Sequence, residues 1–182
     1  MSLVVTISGS PSAASRTQAL AAHVGVEIAA RGFEVEALNV RDLPAEDLLH
    51  ARLDSPALQR AVGLVERARG VVISTPVYKA SYTGVLKAFL DLLPQFGLAG
   101  KVVLPLVTGG TLAHVLAIDY ALRPVLSSLG AQHVVGGLFI LDKHLDWSSG
   151  ASLAVHSEIE ERLSRTVADF VTSLRRHDAP VA

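Results

Sequence analysis

The stretch Leu3-Val4-Val5-Thr6-Ile7-Ser8-Gly9-Ser10-Pro11-Ser12-Ala13-Ala14-Ser15-Arg16-Thr17 decides the fold. Residues 3–8 are a short apolar run rich in β-branched side chains, the pattern of a buried strand. The run breaks at Gly9-Ser10-Pro11-Ser12, and apolar residues at helical spacing follow from residue 16. A buried strand that passes through a hydroxyl-rich turn into a helix N-terminus is a place to hold phosphate. The helix end offers unpaired N–H donors and a partial positive charge. Ser10, Ser15 and Thr17 add hydroxyls, and Arg16 adds a full charge with a forked donor set. The same residues also read as an ordinary helix start, in which Ser15 caps the backbone and binds nothing.

Outward from this stretch the chain alternates. The patterning predicts strands over 2–8, 33–40, 70–75, 101–107 and 133–141. The first, third and fourth are continuous apolar runs, as central parallel strands buried on both faces require. The second is broken by Glu34, Glu36 and Asn39, which suits an edge strand with one wet face. Helices are predicted over 16–31, ending at Gly32, and over 56–68, entered through Ser55-Pro56. Others cover 83–93, 111–129 and 156–176, with Pro124 imposing a kink or break in the fourth. Residues 142–152 read as a polar loop. Such alternation predicts a single α/β domain over residues 1–182. The expected architecture is a flavodoxin-like three-layer sandwich with a five-stranded parallel sheet in the order 2-1-3-4-5. Ligands in such sheets sit beyond the C-terminal strand ends, at the switch point between strands 1 and 3.

Composition narrows the function classes. Half of the 182 residues are apolar and only 18% are charged, so the chain can bury a substantial core. A mean hydropathy of +0.42 fits a sheet covered on both faces, with a subunit interface hiding more apolar surface. A net charge of −1 without a basic block lacks the footprint of a nucleic-acid binder. No apolar run approaches the ~20 residues of a membrane span. The N-terminal residues enter a strand with no basic segment or cleavage site, so a cytoplasmic protein is expected. Without cysteine there is no disulfide, iron–sulfur ligation or thiol catalysis. The seven histidines show no metal-ligand spacing, so no metal site is expected.

Two further loops are expected at the same rim. Thr75-Pro76-Val77-Tyr78-Lys79-Ala80-Ser81-Tyr82-Thr83-Gly84 follows strand 3 and leads into a helix N-terminus. Its aromatic rings and amides can hold a flat, polar-edged heterocycle and stabilise negative charge that develops on it. Tyr78 and Tyr82 can equally cap the core or touch a neighbouring subunit. Lys79 reads either as a ligand contact or as a solvated lysine. Thr108-Gly109-Gly110-Thr111 follows strand 4, where paired glycines let a backbone approach a ligand closely, although such a pair is also a plain turn. The first loop lacks both the dinucleotide fingerprint and the nucleotide-triphosphate P-loop, which leaves a monophosphate as the better fit. No nucleophile elbow marks a hydrolase.

These motifs carry a resemblance. Gly9-Ser10-Pro11 with Ser15-Arg16-Thr17, Thr75 to Lys87, and Thr108-Gly109-Gly110-Thr111-Leu112-Ala113-His114 resemble the NADPH-dependent FMN reductase family. Pro44 to Leu49 and Ala117 to Leu122 match as well. The likeness is greatest to the reductases of two-component alkanesulfonate monooxygenase systems and spans about residues 3–140. The wider family shows an arginine soon after the Gly-Ser pair; Ser12 stands there in this chain, which shifts the phosphate charge onto Arg16.

The resemblance implies FMN and NADPH as cofactors. It sets the FMN phosphate at Ser10, Ser15, Arg16 and Thr17. The flavin ring would lie between Pro76, Val77, Tyr78, Lys79 and Ser81 on one side and Thr108, Gly109, Gly110 and Thr111 on the other. Amides of the Tyr78–Lys79 segment and of Gly109–Gly110 would hold the flavin edge. No side chain is assigned a catalytic role, because flavin and nicotinamide carry the hydride chemistry themselves. The resemblance also implies release of reduced flavin to a partner monooxygenase in sulfonate sulfur assimilation. It implies a homo-oligomer, a dimer or a dimer of dimers, with Tyr120 in a π-type bulge at the subunit interface. Alternatives remain within the same fold: a flavin-retaining quinone, azo-dye or chromate reductase, or a flavodoxin-like electron carrier. A phosphate-binding domain without flavin is the remaining alternative.

Overall fold

A computed structural model describes residues 2–147 and 152–178. Strand β1 (Leu3–Ser8) leads to helix α1 (Arg16–Ala29), followed by β2 (Glu34–Asn39). A three-ten turn (Val40–Asp42), α2 (Ala45–Leu49) and α3 (Pro56–Arg67) precede β3 (Gly70–Pro76). Then come α4 (Gly84–Leu90), β4 (Val102–Gly109), a three-ten turn (Leu112–His114), a π-helical turn (Ile118–Leu122) and α5 (Arg123–Ser128). The described chain finishes with β5 (His133–Val134), β6 (Leu138–Leu141), β7 (Leu145–Asp146), β8 (Ala154–Val155) and α6 (Ser157–Asp178).

The main sheet is parallel, in the order β2-β1-β3-β4-β5, with β6 also paired to β4. It is the flavodoxin-like arrangement expected from the sequence, with β2 at the edge. Alternate residues of each strand face opposite layers. Val5, Ile7, Val71, Ile73, Val103 and Val107 pack with Leu58, Leu64, Leu86, Phe89 and Leu126 of α3, α4 and α5. Val4, Val72, Leu104 and Leu106 pack with Leu20, Val24 and Ile28 of α1 and with Leu163, Val167, Phe170 and Leu174 of α6. Each fully buried side chain of this kind contributes about 1.5–3 kcal/mol of hydrophobic free energy.

Local chemistry sets the element ends. Ser15 Oγ accepts from Gln18 N at 3.1 Å and starts α1. Gly32 at φ +91 and Gly130 at φ +83 let the chain leave α1 and α5 in the left-handed region. Ser55 sits at the start of α3 but does not cap it; its hydroxyl donates to Asp47 at 2.6 Å. Lys101 Nζ donates to the Glu66 and Ala68 carbonyls at the end of α3, at 2.8 and 2.7 Å. Burial first, then the nearby Arg69 charge, pushes this ammonium below the ordinary lysine pKa.

Three expectations are corrected. The strand expected over 133–141 is two strands, parted at Val135-Gly136-Gly137. Pro105 explains the gap. Val103 turns its carbonyl towards β5, where it accepts from Val135 N at 2.9 Å. Pro105, two residues on, faces the same side and has no N–H to offer. The neighbouring chain departs there, and Gly137 lies so close that an added Cβ would stand 2.8 Å from the Pro105 carbonyl oxygen. The helix expected over 111–129 is instead a three-ten turn, a π turn and a short α-helix that begins around Pro124. The expected polar loop 142–152 contains a three-ten turn and β7, which pairs antiparallel with β8; its residues 148–151 lie outside the described ones. Helix α2 lies outside the helices expected from the sequence.

Gly137→Ala is expected to lower stability by about 1–3 kcal/mol through backbone overcrowding. Gly136→Ala, which meets nothing within 4 Å, should stay within about 0.5 kcal/mol of the parent. Urea unfolding of the two variants checks the pair.

Candidate functional site

The ends of β1, β3 and β4 are laced by buried hydroxyls. Thr17 and Thr108 share a hydrogen bond of 2.7 Å between their Oγ1 atoms, joining the first turn of α1 to β4. Ser74 Oγ donates to the Thr17 carbonyl at 3.1 Å. Gly9 N donates to the Ser74 carbonyl at 2.8 Å, and Thr83 Oγ1 donates back to the Gly9 carbonyl. Thr83 N donates to Thr75 Oγ1 at 3.3 Å, and Val77 N to the Thr108 carbonyl at 2.8 Å. The three loops read from the sequence are thereby brought to one rim. Ser74 and Thr83 lie outside the site residues expected from the sequence, although Thr83 carries a legible cap signal and accepts from Leu86 N at 3.2 Å.

The first loop is a set of open donors around a helix start. Among the described residues, the N–H groups of Ser10, Ala13, Ala14 and Ser15 have no hydrogen-bond partner. Ser10 and Ser15 are buried, and their oxygens accept from Ser12 N and Gln18 N, which leaves each hydroxyl proton free to donate. Ser12 turns its own hydroxyl to the Ala14 carbonyl at 2.8 Å. Arg16 is exposed at the loop's end. Its Nε donates to the Leu145 carbonyl at 3.0 Å, while both Nη groups have no partner among the described residues. The back edge of the guanidinium is thus pinned by β7 and its fork stays open. Gly9 tolerates no side chain, since an added Cβ would lie 2.7 Å from Leu86 Cβ.

The second loop is a two-residue hairpin. Tyr78 N donates to the Ser81 carbonyl at 2.9 Å and Ser81 N to the Tyr78 carbonyl at 3.1 Å. Lys79 and Ala80 take φ values of +50 and +65, the sign pattern of a type I′ turn. Neither is glycine, so the tip stores backbone strain of about 1–2 kcal/mol per residue. This corrects one expectation: the Tyr78 amide is spent inside the hairpin, while the Lys79 amide has no partner among the described residues. Tyr78 is 51% exposed, and Pro76, Val77 and Ser81 are half-buried. Tyr82 packs against the core. Burial pushes its phenol above the usual value, with Lys87 pulling it down and Asp91 pushing it up, so it remains protonated at neutral pH. Lys87 is held charged by its hydrogen bond to Asp91, at 2.6 Å.

The third loop leaves β4 at Gly109. A Cβ there would stand 2.9 Å from Phe139 Cζ, so the backbone lies tight against β6. Gly110 and Thr111 are exposed, and their N–H groups have no partner among the described residues. Beyond them Leu112, Leu116 and Tyr120 are exposed, and Tyr120, 80% exposed, lies within the π-helical turn. A groove of about 410 Å³ between β2 and α3, lined by residues including Leu38, Arg60 and Arg67, shares no residue with the three loops. No cluster of three potential metal ligands occurs among the described residues.

The rim therefore offers unpaired amide and hydroxyl donors, an open cation and an exposed aromatic ring. Groups of this kind can hold a flat, polar-edged ring with a phosphate tail. Residues 2–146 match the model of the family described as NADPH-dependent FMN reductase. An FMN reductase (NADPH) from Pseudomonas putida is 50% identical over 181 residues, covering 99% of this chain and 92% of the relative. One from Escherichia coli is 43% identical, covering 98% and 93%. The solved apo form of an NADH:FMN oxidoreductase superposes with a TM-score of 0.90 at 44% identity, covering 99% of this chain and 92% of that one.

Ala80→Gly should relieve the hairpin strain and raise stability by about 1 kcal/mol. The urea midpoint reads the change; an unchanged or lower midpoint would show that the tip is not strained.

Proposed function

Since the chain belongs to the NADPH-dependent FMN reductase family, we propose that its rim binds FMN and presents it to a reduced nicotinamide dinucleotide. The observation that carries this reading is the set of unpartnered donors in three loops tied together by the Thr17–Thr108 and Thr83–Gly9 hydrogen bonds. Bound FMN would take a hydride from the nicotinamide and a proton from solvent, giving reduced flavin and oxidised dinucleotide.

The residues divide the work by chemistry. The amides of Ser10, Ala13, Ala14 and Ser15, the hydroxyls of Ser10 and Ser15, and the Arg16 fork would hold the phosphate. Thr17 and Thr108 spend one hydroxyl proton on each other and keep one for the ligand. The Lys79, Gly110 and Thr111 amides would meet the polar edge of the ring and stabilise negative charge there. Tyr78 would cover its open side, beside Pro76, Val77 and Ser81, and Gly109, whose missing Cβ makes room for Phe139, would set the backbone of the third loop beside the ring. No group on this chain needs to move a proton from a side chain during the transfer.

Reduced flavin held among exposed residues such as Tyr78, Lys79, Gly110 and Thr111 could leave the rim. We therefore read the product as free reduced FMN for a separate flavin-dependent monooxygenase, in a cytoplasmic setting and in sulfonate sulfur assimilation. A relative at 32% identity, an NADH-dependent FMN reductase from Pseudomonas putida, is compatible with a family of such suppliers. The exposed Leu112, Leu116 and Tyr120 support assembly of this chain into a dimer or a dimer of dimers through the π-helical segment.

NADPH oxidation by the purified protein, with and without free FMN and with NADH as the comparison, tests the function. Turnover that rises and saturates with added FMN is expected. Turnover without added FMN that responds to quinone would favour a flavin-retaining reductase, and FMN binding without oxidation would favour an electron carrier. Arg16→Ala should weaken FMN binding by about 1.5–3 kcal/mol, the range for a charged hydrogen bond. Riboflavin, which has no phosphate, should bind parent and variant alike in a fluorescence titration; an equal loss for both ligands would remove Arg16 from the phosphate.

A further inference from the structure

Between Gly9 and Ser15 the first loop contains no cation. A phosphomonoester carries a charge of about −1.5 to −2 at neutral pH, more than the single charge of Arg16 offsets. A second arginine stands on the other side of the loop. Arg41 lies in the three-ten turn after β2, at the same C-terminal rim of the sheet. Its Nε donates to the Pro11 carbonyl at 3.3 Å, across thirty positions of sequence. Its Nη1 donates to Asp42 Oδ1 at 3.4 Å, and Asp42 Oδ2 accepts from Asn39 Nδ2 at 3.2 Å. Its Nη2 has no partner among the described residues.

The build repeats that of Arg16. Each guanidinium is fastened by Nε to a main-chain carbonyl, Pro11 on the β2 side and Leu145 on the β6 side. Fastening one edge orients the plane, so the remaining donors are set in advance rather than found on binding. Asp42 does not cancel Arg41: its carboxylate is 59% exposed and also engaged by Asn39, so the pair is screened by water.

We propose that Arg41 is a second phosphomonoester-reading residue of this rim, supplying from β2 the charge that the loop itself lacks. Two ligands bring that chemistry to the rim: FMN through its 5′-phosphate and NADPH through its 2′-phosphate. The inference rests on the reading of the rim as the FMN site, with the FMN phosphate in the first loop.

Arg41→Ala and Arg41→Lys, with Arg16→Ala alongside, test it. FMN and riboflavin are titrated by flavin fluorescence, and KM is measured for NADPH and NADH; circular dichroism checks that each variant is folded. Arg41→Ala should raise the Kd for FMN about tenfold and leave riboflavin within about twofold, as loss of one charge-assisted contact requires. Arg41→Lys should recover part of the loss, keeping the charge without the pinned fork. A selective rise of about tenfold in KM for NADPH, with FMN and NADH unchanged, would support the same role exercised on the 2′-phosphate. Parental values for all four ligands would overturn the proposal. If Arg16→Ala separates FMN from riboflavin and Arg41→Ala separates neither pair, Arg41 alone is wrong. If neither variant separates them, the phosphate is not in the first loop and the underlying reading falls too.

Discussion

The hydrogen bond between Thr17 and Thr108, 2.7 Å long and buried, joins a helix start to a strand two places away in the sheet. Around it, Ser74 binds the Thr17 carbonyl and Thr83 binds the Gly9 carbonyl. A parallel sheet ends in carbonyls and amides that the ladder no longer pairs. Left buried without partners, each would cost about 1–3 kcal/mol. Side-chain hydroxyls satisfy these groups over short distances, and in doing so they fix three loops relative to one another. Valine at Thr17, Thr83 or Thr108, or alanine at Ser74, would come close to keeping the volume and would lose the lacing.

That lacing explains how the rim can carry both strain and unpaired donors. The Lys79–Ala80 tip is held at positive φ by the paired Tyr78 and Ser81 backbone, and the base of its loop by Thr75 and Thr83. The open amides of the first and third loops are exposed or stand beside exposed residues, so water can serve them until a ligand does. The polar groups below them are already satisfied. Rigid support beneath and unmet donors above is the arrangement that lets binding energy go into orientation.

Much of this was legible in the sequence because it follows from period and punctuation. Continuous apolar runs at 3–8, 70–75 and 101–107 gave buried parallel strands, and the charged alternation at 33–40 gave the edge. Gly32 and Ser15 marked the ends of α1. What escaped depends on contacts between distant segments. The gap in 133–141 arises from Pro105 on the neighbouring strand, which no local window contains. Hydroxyls were visible as donors in the first loop, yet the Thr17–Thr108 pairing spans 91 positions. Arg41 read as one arginine among many until its contact with Pro11 set it at the rim. The Tyr78 amide looked available because a Lys-Ala pair is a poor sequence signal for a type I′ hairpin, which favours Asn-Gly.

The electrostatics of the rim suit a reaction whose proton comes from water. The displaced titrations near it are a half-buried Tyr82 phenol held neutral and a Lys87 ammonium held charged by Asp91. Both keep one protonation state through neutral pH, so neither imposes a titration on the site there. The donors offered to a ligand are mainly amides, hydroxyls and guanidinium groups. For hydride transfer between two bound heterocycles, such fixed dipoles stabilise the charge that develops without first gaining or losing a proton. Affinity, in contrast, would be open to tuning at the phosphate end, where the charge of a phosphomonoester would meet the exposed Arg16 and Arg41.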